Sequence, residues 1–146
     1  AATVTFNYLI GEKILLIGTV DRVSNSVKLT VFNSENPTGK TTENTSVTLS
    51  TSVSIDDIRI GSDDPNLALE MDVLEAAYID GVLISDERAS EIWASSLGRN
   101  ILGFYNASEI IYYPIDEGSG TTLGDFGSNG FDMAMANFSG TIWVAL

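Results

Sequence analysis

The chain has 146 residues, with 20 acidic against 7 basic side chains, a formal charge of −13, and neither Cys nor His. This length suits one domain with a proper core, and 44% apolar residues suit a folded chain. The composition excludes disulfides, thiolate metal sites, cysteine nucleophiles and a Ser-His-Asp triad, and the negative surface argues against nucleic acid and anionic membranes as partners.

The elements follow in chain order. Thr3-Val4-Thr5-Phe6-Asn7-Tyr8 alternates polar and apolar residues and predicts a half-buried strand. Lys13 to Val20 predicts a second strand, more uniformly apolar and therefore central. Its core, Ile14-Leu15-Leu16-Ile17, is the longest aliphatic run and is far too short to span a membrane. The start of the chain shows no basic segment leading into an apolar one, so no signal peptide is expected. Val27 to Phe32 alternates again, and Asp21 to Ser26 supplies turn residues for a hairpin. Asn33 to Asn44 is polar, with Pro37 and Gly39, and predicts an exposed loop. Further strands are predicted over Ser46 to Ser50, Ile55 to Ile60 and Met71 to Ile79.

One helix is expected near residues 86–97. Ser85 is a good N-cap, and Asp86 and Glu87 suit the positive helix end. Ala89, Ile92, Trp93 and Leu97 share a face, and Gly98 can end the helix. Strands resume over Glu109 to Ile115, Phe131 to Ala136 and Thr141 to Leu146, separated by turn-like 116–120 and 125–130. Many short strands, one helix and no βαβ rhythm point to an all-β, antiparallel two-sheet sandwich.

Two segments resemble the laminin-G-like, concanavalin A-like jelly-roll family. Ile111-Tyr112-Tyr113-Pro114-Ile115-Asp116-Glu117-Gly118-Ser119-Gly120, followed by Asp125-Phe126-Gly127-Ser128-Asn129-Gly130, is similar to that family's opening strand and loop. Asp72-Val73-Leu74-Glu75-Ala76-Ala77-Tyr78, followed by Leu83-Ile84-Ser85-Asp86-Glu87-Arg88, is similar to its closing strand and capping helix. The order is reversed: residues 1–98 resemble the closing part and 100–146 the opening part. The resemblance implies a single jelly-roll domain over 1–146. Circular permutation within one subunit explains the order; excision from a tandem array and strand exchange between copies are the alternatives. The final Thr141-Ile142-Trp143-Val144-Ala145-Leu146 has no charge and no Pro, so it belongs in a paired strand, within the domain or between subunits.

Three constellations invite chemistry. Glu70-Met71-Asp72-Val73-Leu74-Glu75 is similar to the acidic motif of concanavalin-type glucanases. Retaining hydrolysis needs carboxylates about 5 Å apart, yet positions 70 and 75 of a regular strand face opposite ways. Asp125, Asn129 and Asp132 are spaced to aim oxygens at a calcium ion, the one expected cofactor. The alternative is that Asp125 and Asn129 make turn hydrogen bonds to their own backbone. Asn44, Asn106 and Asn137 stand in Asn-x-Ser/Thr sequons. The aromatics Tyr8, Trp93, Tyr112, Tyr113 and Trp143 read as core packing rather than as a sugar platform.

The expected function is therefore a non-catalytic structural or assembly module on an exterior surface: a virion decoration, a fibre domain or an extracellular filament subunit. Its expected partners are copies of itself or other structural subunits. A carbohydrate-binding module is the alternative, and a glycoside hydrolase the second alternative.

Overall fold

The computed structural model describes residues 2–45, 47–49, 75–79, 81–95, 101–106, 108–115 and 119–134. They form seven strands in antiparallel ladders, one α-helix and a 3₁₀ turn at Ile101–Gly103. The expected all-β class agrees with this at the level of antiparallel sheets and one short helix.

β1 (Leu15–Asp21), β2 (Ser26–Phe32) and β3 (Lys40–Asn44) make a three-stranded meander in the order β1-β2-β3. The β1–β2 register runs from Leu15 opposite Phe32 to Asp21 opposite Ser26. Asp21 builds the intervening turn with its side chain. Oδ1 accepts the Val23 N–H at 2.8 Å, and Oδ2 accepts the Ser24 hydroxyl at 2.5 Å. Asn25 takes the left-handed φ of 51° that Asn tolerates.

Three expectations are corrected in this region. The middle strand is β2, not the more apolar β1, because β1 turns Leu16 and Val20 outward, 59% and 55% exposed. By contrast Val31 and Phe32, on opposite faces of β2, are both buried. The polar stretch 33–44 is a loop only as far as Gly39. Lys40–Asn44 pairs with β2, and its β-branched Thr41 and Thr42 suit a largely exposed outer strand whose polarity hid it. Finally, residues 3–8 join no ladder, although Val4 and Phe6 are half-buried as the alternation demands. Side chains take their carbonyls instead: Lys40 Nζ donates to Thr5 O at 2.5 Å and Asn33 Nδ2 to Asn7 O at 2.7 Å.

The helix α1 (Asp86–Ala94) begins as expected. Ser85 Oγ accepts the Arg88 N–H at 3.1 Å. It ends at Ala94, where the Ser95 hydroxyl donates to Ile92 O, short of the expected 97; Leu97 and Gly98 lie outside the described residues. Its inner face carries Ala89 and Ile92, both buried. Ala89 joins Ile17 and Phe32 in one core cluster, with Leu15, Ile84 and Trp93 packed against it. Trp93 stacks on Phe32 at 5.9 Å, and Lys28 pairs with Asp86 at 2.7 Å.

β4 (Ala76–Ile79) pairs with β5 (Ile110–Tyr113), Ala76 opposite Tyr113. β6 (Thr122–Leu123) pairs with β7 (Met133–Ala134) and frames the loop between them. β5 is shorter than the strand predicted over Glu109 to Ile115, and β6 is not predicted. β5 stops before Pro114 and Ile115, which has φ 53°. Val47 to Leu49 form no strand. The strand predicted over 55–60, residues 71–74 of the next, and the whole of Thr141–Leu146 lie outside the described residues.

Candidate functional site

The densest polar arrangement surrounds Asp125, in the loop between β6 and β7. In an extended strand the N–H and C=O of one residue point to the same side, and alternate residues repeat that direction. Tyr112 lies opposite Ala77 of β4, and turns both its main-chain groups away, toward the loop. Its N–H donates to Asp125 Oδ1 at 3.0 Å, and its carbonyl accepts the Phe126 N–H at 2.8 Å. Two residues back, the Ile110 carbonyl accepts Asn129 Nδ2 at 3.1 Å. The loop thus serves β5 as a second neighbour, built partly from side chains.

Asp125 also holds the loop's own shape. Oδ1 accepts the Gly127 N–H at 2.7 Å and Oδ2 the Phe131 N–H at 3.1 Å, while the Asp125 N–H donates to Asp132 Oδ1 at 3.0 Å. Gly127 is required by proximity, since a Cβ there would overlap the Ile110 carbonyl oxygen. The Tyr113 hydroxyl donates to Phe131 O. Burial raises the Asp125 pKa, but the N–H donors of Tyr112, Phe131, Gly127 and Gly130 outweigh it, so the carboxyl titrates below its ordinary 3.8. The Tyr113 phenol is held above its ordinary 10.0 by burial and then by the Asp125 and Asp132 charges, and stays a donor.

The three residues singled out for calcium, Asp125, Asn129 and Asp132, are therefore brought to one loop, but as a hydrogen-bonded clamp. Calcium takes about six to eight oxygens, and the clamp does not fit that need. Both Asp125 oxygens face main-chain donors, and Asn129 offers its nitrogen inward. Among the described residues no group of three or more acidic side chains is placed to hold a metal.

Other sequence-predicted positions scatter. Asn44 ends β3 and is half-buried; Asn106 is exposed, its Nδ2 donating to Glu109 at 2.9 Å; Asn137 lies outside the described residues. Of the acidic motif, Glu70 lies outside the described residues, and Glu75 Oε2 accepts the buried Tyr112 hydroxyl at 2.8 Å. Tyr112 and Tyr113 are buried, as core aromatics should be, whereas Tyr8 is 67% exposed.

Sequence reasoning missed Phe126 and Phe131, which are 57% and 60% exposed on the two shoulders of the clamp. A signal for them existed: Asp125-Phe126 and Phe131-Asp132 mirror each other across the turn. It also missed the turn Leu9 to Glu12, where the Glu12 N–H donates to Leu9 O and Ile10 stands fully exposed.

The chain matches no protein-family model, and no curated protein or solved structure is significantly similar to it.

Proposed function

We propose that this chain is a non-catalytic structural or assembly module of an exterior surface, on a virion, a fibre or an extracellular filament. Its proposed scaffold is a laminin-G-like jelly-roll sandwich with permuted halves. The observation that carries the assembly reading is the set of exposed apolar side chains in the N-terminal region. Tyr8, Leu9, Ile10, Leu16, Val20 and Val23 are all exposed, in a chain whose net charge is −13. Leu16 and Val20 sit on β1, which pairs on one side only among the described residues. Exposed apolar groups on the outer strand of this meander suit contact with further subunits.

The permuted scaffold draws support from β4 and β5. These come from the segments similar to the family's closing and opening strands, and here they are neighbours in one ladder. Strands that lie side by side at the two ends of a fold allow its termini to be joined and reopened elsewhere.

A second reading, carbohydrate binding, draws on Phe126 and Phe131, since exposed rings on a restrained loop suit the apolar face of a pyranose. One experiment separates the two. Light scattering of the wild type, of Leu16→Lys/Val20→Lys, and of a chain truncated before Gly140 should show self-association that either change weakens. A wild type that stays monomeric at high concentration while binding a glycan array sinks the assembly reading.

A further inference from the structure

We propose that Asn129-Gly130 is a covalent modification site, a one-way latch in which the closed loop protects Asn129 from deamidation and the deamidated loop no longer closes on β5. It is the chain's single Asn-Gly dipeptide, and both residues are exposed. Glycine has no side chain to hinder attack by its own nitrogen, which makes this dipeptide the most reactive setting for an asparagine amide.

The chemistry needs only water. The Gly130 main-chain nitrogen, its proton lost to solvent base, attacks Asn129 Cγ. A new C–N bond closes a succinimide, the Cγ–Nδ2 bond breaks, and Nδ2 takes up a proton and leaves as ammonia. Water then opens the ring at either carbonyl, giving aspartate or isoaspartate. Nothing is oxidised or reduced.

In the closed loop the leaving nitrogen is occupied and the dipeptide's main chain is held on both sides. Asn129 Nδ2, the leaving group, donates to the Ile110 carbonyl at 3.1 Å, and the Asp125 carboxylate fixes the turn on both sides of the dipeptide, through the Gly127 and Phe131 N–H groups. Cyclisation has to release the Asn129 bond and turn the restrained main chain, so the reaction reports opening of the loop. The product then resists reclosing. A carboxylate at 129 sets an acceptor against the Ile110 acceptor, and adds a third acid beside Asp125 and Asp132. Isoaspartate further lengthens the main chain by one atom between Asn129 and Gly130, which shifts the Phe131 N–H away from Asp125 Oδ2.

The full chain, incubated at mildly alkaline pH and mapped by mass spectrometry, tests this. Folded wild type should convert Asn129 at least about tenfold more slowly than the same chain unfolded in urea, the factor given by about 1.4 kcal/mol of opening. Folded Asp125→Ala should lose most of that protection. An Asn129→Asp chain should show faster hydrogen exchange at the Tyr112 and Phe126 amides than wild type. Equal conversion rates for folded and unfolded wild type overturn the protection. Unchanged exchange in Asn129→Asp overturns the latch, whether or not Asp125→Ala folds.

Discussion

Two side chains do the same work in opposite settings. Asn33, beside the meander, and Asp125, beside β5, each substitute for main-chain partners that no neighbouring strand supplies among the described residues. Asn33 is fully buried. Its Nδ2 donates to Asn7 O, and its Oδ1 accepts both the N–H and the Nδ2 of Asn36, at 2.9 and 2.7 Å. Asp125 is only half-buried and accepts alone. An amide holds a donor and an acceptor and no charge, so burial costs it little once both are paired. A carboxylate has only acceptors and a charge, so it stays near water and surrounds itself with N–H groups. The first bracket should therefore ignore pH, and the second should follow it.

The largest expected effect comes from Asn33→Ala. It leaves the Asn7 carbonyl and the Asn36 donors without their buried partner and should cost about 3 kcal/mol in urea unfolding. A loss under about 1 kcal/mol would mean that water replaces the amide and that burial is not what matters. Next is Asp125→Asn, which keeps one acceptor oxygen and should cost about 2 kcal/mol at neutral pH. The folded carboxyl titrates below its ordinary value, so its contribution is fully present above 3.8 and fades as pH falls through the folded value. The gap between wild type and Asp125→Asn should close in that acidic window, whereas the Asn33→Ala gap should not. A gap of constant size across pH 3 to 7 would refute the charged bracket. The smallest effect is Ser85→Ala, the exposed hydroxyl cap of α1, expected to cost about 1 kcal/mol in the same melts. It calibrates a bracket with neither burial nor charge.

Local rules made part of this legible in the sequence. Ser85, Asp86 and the Ala89, Ile92, Trp93 stripe announce α1, because caps and helical periodicity are short-range. The alternation at Val27 to Phe32 and the turn residues Asp21 to Ser26 announce the first hairpin for the same reason. β3 was hidden because Lys40-Thr41-Thr42-Glu43-Asn44 has no apolar face, and an outer strand with little to bury needs none. Residues 3–8 misled in the other direction: their alternation reflects a covered face, but pairing depends on which donors reach Thr5 O and Asn7 O. The loop clamp was half legible. The grouping of Asp125, Asn129 and Asp132 came from spacing, while its role depends on Ile110 and Tyr112, whose main-chain groups carry no sequence signal.

The spacing of the partner strands has a kinetic consequence. β1, β2 and β3 are joined by a tight turn and a short loop, so their ladder closes with little loss of chain entropy. β4 and β5 pair across the whole of α1 and the segment after it, a far more distant closure. Hairpins of low contact order form early, and the meander precedes β5 in the chain. The meander can thus nucleate on a nascent chain before β5 and its loop have emerged.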